Sequence, residues 1–408
     1  MLVTPVIMKL ARLIGCIDHP GKRSMHRTPT PLCGGFAFAI GIVPVFFFLE
    51  IDKQVLSFIV AASILVVLGF IDDYRNLGWK VKLLGTLVAI SIIVFMGDVT
   101  ISDLGLYGMN RRITLGILSI PFTYLCIVGV TNATNLIDGL NGLAGGIAMI
   151  AFFFLGLGGF MAGEATLAFI CFAFTGALLG FLIYNFPKAR IFMGDSGSLP
   201  LGFSLAVLAI LLTQGNNHFN SLKPIFTEAD LFLSSLSEDL ILQPMYPVLV
   251  LILPIFDTLR VMSIRMFQRK NPFHADKIHL HHMFIRKGFS PVVTVMIFWV
   301  LSCLYGIIAV VLVRRSSTPY LVVVLVVCLF MSLFAESMSR RKRVKPKRKI
   351  GENQRMISKS KILLFFTWIL VCGVLLAFGM DADTMEEHSQ DFQAFISLSK
   401  SSNWASRK

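Results

Sequence analysis

The stretch VLSFIVAASILVVLGFIDDYRNLGWKVKLLGTLVAISIIVFMG, from Val55 to Gly97, decides the fold class. Two apolar runs, roughly 55–71 and 82–97, flank a short polar segment that carries two aspartates and two cations, with Lys82 opening the second run. Each run is long enough to approach the span of a bilayer core about 30 Å thick, and a helix leaves none of its backbone hydrogen bonds unmade there. Working outward, the same pattern recurs at roughly 32–49, 114–131, 143–162, 165–185, 198–214, 246–263, 292–313, 319–335 and 362–380. With 408 residues, 55% of them hydrophobic, and a mean hydropathy of +0.76, the chain has more apolar surface than a soluble core of this length would bury. These observations predict an all-α, polytopic integral membrane protein with about 11 transmembrane helices.

The N-terminal MLVTPVIMKLARLIG differs from the other runs, because Lys9 and Arg12 interrupt it before a full span is reached. It also lacks the long apolar region and small-residue cleavage site of a signal peptide, so it reads as a first helix too short for a full span. The net charge of +14 is unevenly placed. Lys and Arg concentrate near 18–31, 72–82, 186–197, 264–291 and 336–361, and are sparse near 50–54, 98–113, 215–245, 314–318 and 381–408. The positive-inside rule puts the first set, with 132–142, in the cytoplasm. The run RRKRVKPKRK (Arg340 to Lys349) reads as a juxtamembrane segment attracted to anionic lipid rather than to nucleic acid. The seven cysteines (Cys16, Cys33, Cys126, Cys171, Cys303, Cys328 and Cys372) are scattered without C-x-x-C spacing, so neither a disulfide frame nor a cysteine metal site is expected.

The polar chemistry collects at span ends on the cytoplasmic side. Asp72 and Asp73 end an apolar span and precede Arg75, Lys80 and Lys82; the pair reads either as a solvated helix end or as a place where a cation relieves carboxylate repulsion. In TNATNLIDGLNGLAGG (Thr131 to Gly146), Asn132, Asn135, Asp138 and Asn141 recur every third residue, which brings neighbouring pairs together on a helix or tight turn. Such residues serve a site or a polar helix–helix contact. Asp195, in FMGDSGSLPLG (Phe192 to Gly202), begins an apolar span, either as its N-cap or beside phosphate-binding backbone N–H groups. Hard oxygen ligands of this kind suit Mg²⁺, which takes one or two carboxylates and lets waters and phosphates complete its shell. Asp257 and Arg260 stand at i,i+3 near a span end, where they either neutralise each other or mark function. His274, Lys277, His279, His281, His282, Arg286 and Lys287 share one loop. No cysteine stands at zinc spacing, so an anion cradle is favoured over a zinc site or a purely structural loop.

The motifs together resemble a known family. DHPGKRSMHRTPTPLCGG (Asp18 to Gly35), IDDYRNLGWKVKL (Ile71 to Leu83), NATNLIDGLNGLAGG (Asn132 to Gly146), YNFPKARIFMGDSGSLPLG (Tyr184 to Gly202), LPIFDTLRV (Leu253 to Val261) and HADKIHLHHMFIRKGFS (His274 to Ser290) are similar, in order, to the motifs of the polyprenyl-phosphate N-acetylhexosamine-1-phosphate transferases, glycosyltransferase 4 type. The His279-x-His281-His282 pattern resembles the bacterial undecaprenyl-phosphate GlcNAc-1-phosphate transferases more than the phospho-MurNAc-pentapeptide translocase. The resemblance implies a Mg²⁺-dependent enzyme of the bacterial inner membrane that moves N-acetylglucosamine-1-phosphate, or a related sugar-1-phosphate, from a UDP-sugar to undecaprenyl phosphate. UMP leaves, and a surface glycan such as O-antigen begins. It implies that Asp195, together with Asn135 or Asp138, holds the metal, and that Asp138 and His279 are catalytic alongside Asp72 and Asp73. It also implies that Asp72 and Asp73 orient or deprotonate the lipid phosphate, and that His279, His281 and His282 neutralise the pyrophosphate or departing UMP. Lys22, Arg23, His26 and Thr30 would hold the lipid phosphate, with Asn132 also on the substrate. The expected partners are these two substrates and membrane lipid, with no nucleic acid and with homo-oligomerisation open.

The resemblance covers about residues 4 to 335, so residues 1–335 are expected to form the transferase domain. A basic cytoplasmic segment (336–361) and an extra span with a polar tail (362–408) follow it. The competing class is a membrane transporter that uses intramembrane acids, which calls for polar residues near the bilayer midplane and repeated halves. Here the polar groups sit at span ends and no repeat is visible. The basic segment followed by the apolar run Ile362 to Met380 predicts that a reporter fused after Lys408 reads out on the external face. A cytoplasmic signal from that reporter refutes the extra span.

Overall fold

The computed structural model describes residues 1–20, 28–107, 111–214, 240, 242–268 and 278–339. Its helices are α1 (Val3–Leu13), α2 (Gly35–Ile42), α3 (Lys53–Arg75), α4 (Trp79–Phe95), α5 (Ser119–Ile137), α6 (Leu143–Met161), α7 (Ala165–Asn185), α8 (Asp195–Leu211), α9 (Met245–Val250), α10 (Ile252–Phe267), α11 (Leu280–Arg286), α12 (Pro291–Val311) and α13 (Ser317–Ser339). Two small antiparallel hairpins join them: β1 (Ile17–Asp18) with β2 (Thr30–Pro31), and β3 (Asp103–Tyr107) with β4 (Arg111–Thr114). The all-α expectation therefore holds for the membrane body, with short β-ribbons in two connections.

Six of the described helical segments have the length and apolarity to cross a membrane: Lys53–Arg75, Gly116–Ile137, Leu143–Met161, Ala165–Asn185, Pro291–Val311 and Ser317–Ala335. Large apolar side chains such as Val67, Leu125, Ile183, Val300 and Phe330 face outward from these helices. That is the surface a lipid environment requires, since hydrocarbon tails replace the polar coat of a soluble protein. The other expected spans in the described residues are shorter or interrupted, 82–97 falling on the continuous 17-residue α4. The 32–49 stretch is α2 followed by a 3₁₀ turn, Val43–Phe47; 198–214 falls on the 17-residue α8; 246–263 is divided between α9 and α10. The first helix, α1, is 11 residues long and buries Thr4, Ile7 and Ala11 on one face. The expected span at 362–380, most of the basic segment and the tail lie outside the described residues.

Local chemistry explains the helix ends that matter. Asp52 accepts the N–H of Val55 at 2.8 Å and so opens α3. Asn76 closes it in the left-handed region (φ 52°), its N–H returning to the Asp72 carbonyl at 2.7 Å. This abrupt turn sends α4 back alongside α3 and leaves Asp72, Asp73 and Lys82 at one end of the pair.

Helix α8 forms the centre. Every residue from Ser196 to Leu211 is buried, and α2, α3, α5, α6 and α7 lie against it. A helix apolar on all sides belongs inside a bundle, not at its surface. The contacts with α3 are close enough to require glycine: a Cβ on Gly69 would run into the Asp195 carbonyl and the Ser196 nitrogen. The obstacle is backbone on both sides, so a Gly69→Ala change cannot be absorbed by a rotamer shift. We expect it to cost about 1–3 kcal/mol, outweighing the better helix propensity of alanine. Thermal unfolding of the detergent-extracted protein measures this; an unchanged or raised midpoint contradicts the packing.

Candidate active site

The ends of α3 and α5 and the starts of α4, α8 and α11 bring the polar motifs to one end of the bundle. The central feature is an ammonium between two carboxylates. Lys82 Nζ donates to Asp195 Oδ2 at 2.9 Å and to Asp72 Oδ2 at 3.1 Å. Asn135 Nδ2 donates to Asp195 Oδ1 at 2.8 Å and to Ser198 Oγ at 2.8 Å. Both Asp195 oxygens are thereby oriented, while Asp72 Oδ1 is buried with no partner among the described residues.

Asp73 has a different part. Its Oδ1 accepts the N–H of Asp195 at 2.7 Å, and its Oδ2 that of Ser196 at 3.1 Å. It caps the first turn of α8 from outside, where unpaired N–H groups and the positive end of the helix dipole favour an anion. Gly194 (φ 71°) lies against this carboxylate with no room for a side chain. The two adjacent aspartates thus divide: Asp73 positions the Asp195 turn, and Asp72 keeps an oxygen unengaged.

Asp138 ends α5 beside this cluster. Loss of water, and then the neighbouring charges of Asp195 and Asp73, push its carboxyl up to about 7. Asn185 ties its loop to the next one: Oδ1 accepts the N–H of Gly142 at 2.7 Å, and Nδ2 donates to the Ile191 carbonyl at 2.8 Å. Trp299 Nε1 on α12 donates to the Gly142 carbonyl at 3.1 Å.

The histidine motif sits on a second aspartate. His279 Nδ1 meets Asp257 Oδ2 at 2.8 Å, and Leu280 N–H donates to Asp257 Oδ1 at 2.9 Å, so Asp257 anchors the start of α11. Arg260 is 3.6 Å from Asp257 and donates to the Ile278 carbonyl at 3.0 Å. Mutual neutralisation of Asp257 and Arg260 is therefore only part of their arrangement. His281 is 1% exposed, lies against Gly139 beside Asp138, and has no partner for either ring nitrogen among the described residues. His282 is half-buried, its ring 4.2 Å from that of His281.

The remaining expected residues divide. Thr30 is buried and its hydroxyl donates to the Thr28 carbonyl at 3.0 Å. Asn132 donates to the Val128 carbonyl of its own helix at 2.9 Å, and Asn141 to the Pro187 carbonyl at 3.4 Å. Lys22, Arg23, His26, His274 and Lys277 lie outside the described residues. Lys82, Asp257 and Asn185 were not among the expected site residues. Only the proximity of Lys82 to the Asp72–Asp73 pair and of Asp257 to a span end signalled them. Nothing in the sequence singled out Asn185 or Trp299.

Among the described residues, an apolar helical bundle gathers acids, Lys82 and histidines at one end, the arrangement of a polar site in a membrane protein. Residues 55–213 match the glycosyl transferase family 4 model. The chain is similar to a probable undecaprenyl-phosphate N-acetylglucosaminyl 1-phosphate transferase of Bacillus subtilis strain 168, with 32% identity over 339 residues, 82% of this chain and 88% of the relative. It is also similar to the undecaprenyl-phosphate alpha-N-acetylglucosaminyl 1-phosphate transferases of Escherichia coli K12 (28% over 288 residues, 69% and 72%) and Yersinia pestis (27% over 347 residues, 83% and 88%). The chain belongs to glycosyl transferase family 4 and is a multi-pass membrane transferase.

Burial, and then the neighbouring His282, lower the His281 pKa from 6.5 to about 3, with Asp257 opposing and His279 assisting. A histidine held neutral in the folded state but able to take a proton when unfolded contributes stability above pH 6.5, which is lost as pH falls towards 3. Stability should therefore drop between pH 7 and 5, and His281→Gln should flatten that dependence. Unfolding midpoints across this range measure it; an unchanged slope in the variant contradicts a neutral His281.

Proposed function

We propose that this chain transfers N-acetylglucosamine-1-phosphate from UDP-N-acetylglucosamine to undecaprenyl phosphate at the cytoplasmic face of a bacterial inner membrane. A lipid phosphate oxygen forms a bond to the sugar-bearing phosphorus, the bond from that phosphorus to UMP breaks, and a lipid-linked pyrophosphoryl sugar starts a surface glycan such as O-antigen. Family membership and the activities for which the relatives are named support this reading. The observation that carries it is the Asp72–Lys82–Asp195–Asn135 chain at the bundle end, where a lipid headgroup meets a water-soluble nucleotide.

The oxygen-rich donor set fits Mg²⁺. Mg²⁺ takes one or two carboxylates and completes its shell with water and phosphate. Asp195 would hold it, with the unpartnered Asp72 Oδ1 beside it. Asn135, whose NH₂ group faces Asp195 here, would orient that carboxylate or turn its oxygen to the ion. Bound Mg²⁺ supplies charge neutralisation of the pyrophosphate.

The rest belongs to the protein. Lys82 balances the carboxylates and is within reach of a phosphate that enters between them. Asp72 orients the acceptor phosphate; Asp73 keeps the α8 turn in place. His279, fixed by Asp257, and half-buried His282 donate to phosphate oxygens, whereas neutral His281 supports Gly139 and the Asp138 loop. Lys22, Arg23 and His26 hold the lipid phosphate. Phosphoryl transfer depends mainly on such positioning and charge neutralisation.

Purified membranes given undecaprenyl phosphate, a panel of UDP-sugars, and Mg²⁺ or chelator test the proposal. We expect UMP release with UDP-N-acetylglucosamine that depends on lipid and metal, and a fall of roughly 100-fold or more in Asp195→Asn, the scale for loss of one preorganised charge-stabilising group. Near-wild-type turnover by that variant, or activity indifferent to chelation, overturns the assignment.

A further inference from the structure

Cys16 and Cys33 are far apart in sequence and adjacent in space. Cys16 follows α1, and Cys33 follows β2. Pairing of Ile17 with Pro31 and of Asp18 with Thr30 brings them together, and Leu32 N–H donates to the Cys16 carbonyl at 3.0 Å. Their sulfurs are 2.7 Å apart, and the residues are 1% and 3% exposed. Cys33 holds φ 70°, a conformation that non-glycine residues rarely adopt. Both are free thiols. Two small apolar residues in a core would not require a sulfur–sulfur hydrogen bond or a left-handed backbone.

We propose that Cys16 and Cys33 are a modification site: a thiol pair that closes an intrachain disulfide by exchange with a low-molecular-weight disulfide. The Cys16 thiolate attacks one sulfur of the small disulfide, whose S–S bond breaks; the released thiolate takes up the proton that Cys16 gave. Cys33 then loses its proton and attacks the Cys16 sulfur of the mixed disulfide, releasing the second small thiol. Two cysteine sulfurs are oxidised, and one small disulfide is reduced to two thiols.

Cys16 is the attacking sulfur because its flank is the more open: Ile14 and Gly15 are exposed, and among the described residues nothing lies within 4 Å of where a Gly15 side chain would be. Entry of the first reagent is the slow step. Closure is fast because the second thiol is already in contact. The bond would bind α1 to the segment that passes directly to the site. Gly34 and Gly35 N–H groups donate to the Phe192 and Met193 carbonyls at 2.9 and 3.0 Å, just ahead of Asp195.

The test uses the full chain in native membranes, equilibrated at graded ratios of reduced and oxidised glutathione, quenched with acid, denatured and labelled with a mass-tagged maleimide. We expect an oxidised species with two fewer tags than the fully reduced chain, reversed by dithiothreitol, and a linked peptide containing Cys16 and Cys33 by mass spectrometry. In Cys33→Ser the two-tag loss should vanish, and Cys16 should carry one glutathione. Full labelling of the wild type at every ratio overturns the proposal, as does a linked peptide joining other cysteines. The wild-type peptide map decides the matter even if the variant does not insert.

Discussion

A helix that begins inside a bundle must find partners for its first N–H groups, and the start of α8 is where this structure meets that demand. Water is largely excluded there and the helix is buried on every side, so its orphan donors need an acceptor from another element. Asp73 provides both of its oxygens. Because the carboxylate comes from the last turn of α3, helix spacing and site geometry are set by the same contact. Gly69 allows the backbones to meet, Gly194 leaves room for the carboxylate, and the Asp195 side chain emerges in one orientation.

That arrangement concentrates negative charge. Asp72, Asp73, Asp138 and Asp195 share one end of the bundle, with Lys82 between two of them. Charges so poorly solvated persist only when paired and hydrogen-bonded, and removing one partner leaves the others uncompensated. The excess acid and the unpartnered Asp72 oxygen suit a cation and a phosphate arriving together. Asp257 repeats the device on a second helix: it caps the start of α11 and holds His279 at once. The two capped helix starts carry the two halves of the site, and the His281–Gly139 contact joins them.

Much of this was legible in the sequence. Apolar runs of bilayer length gave the helical membrane body, because a backbone without water must pair within itself. Side-chain chemistry at span ends pointed to Asp72, Asp138, Asp195, Asn135 and the histidine motif, because polar residues are costly beside a membrane without a partner. The interruptions in α2 and between α9 and α10 were not visible, since hydropathy reports burial of a stretch and not whether its hydrogen-bond ladder is continuous.

The roles separated only in three dimensions. Adjacent Asp72 and Asp73 are equivalent as letters, yet consecutive helical residues point about 100° apart, so one faces the α8 N-terminus and the other faces Lys82. His281 reads as a cation within its motif but is buried against Gly139 and stays neutral. Cys16 and Cys33 have no meaningful spacing, and a two-residue strand pairing brings their sulfurs together. Sequence by itself determined the class of fold, the membrane and the chemical kinds of residue available, because those follow from composition and period along the chain. Which carboxylate caps, which one stays unengaged and which histidine can carry charge was decided by tertiary structure, because each depends on distances between elements far apart in sequence and on how much water those contacts exclude.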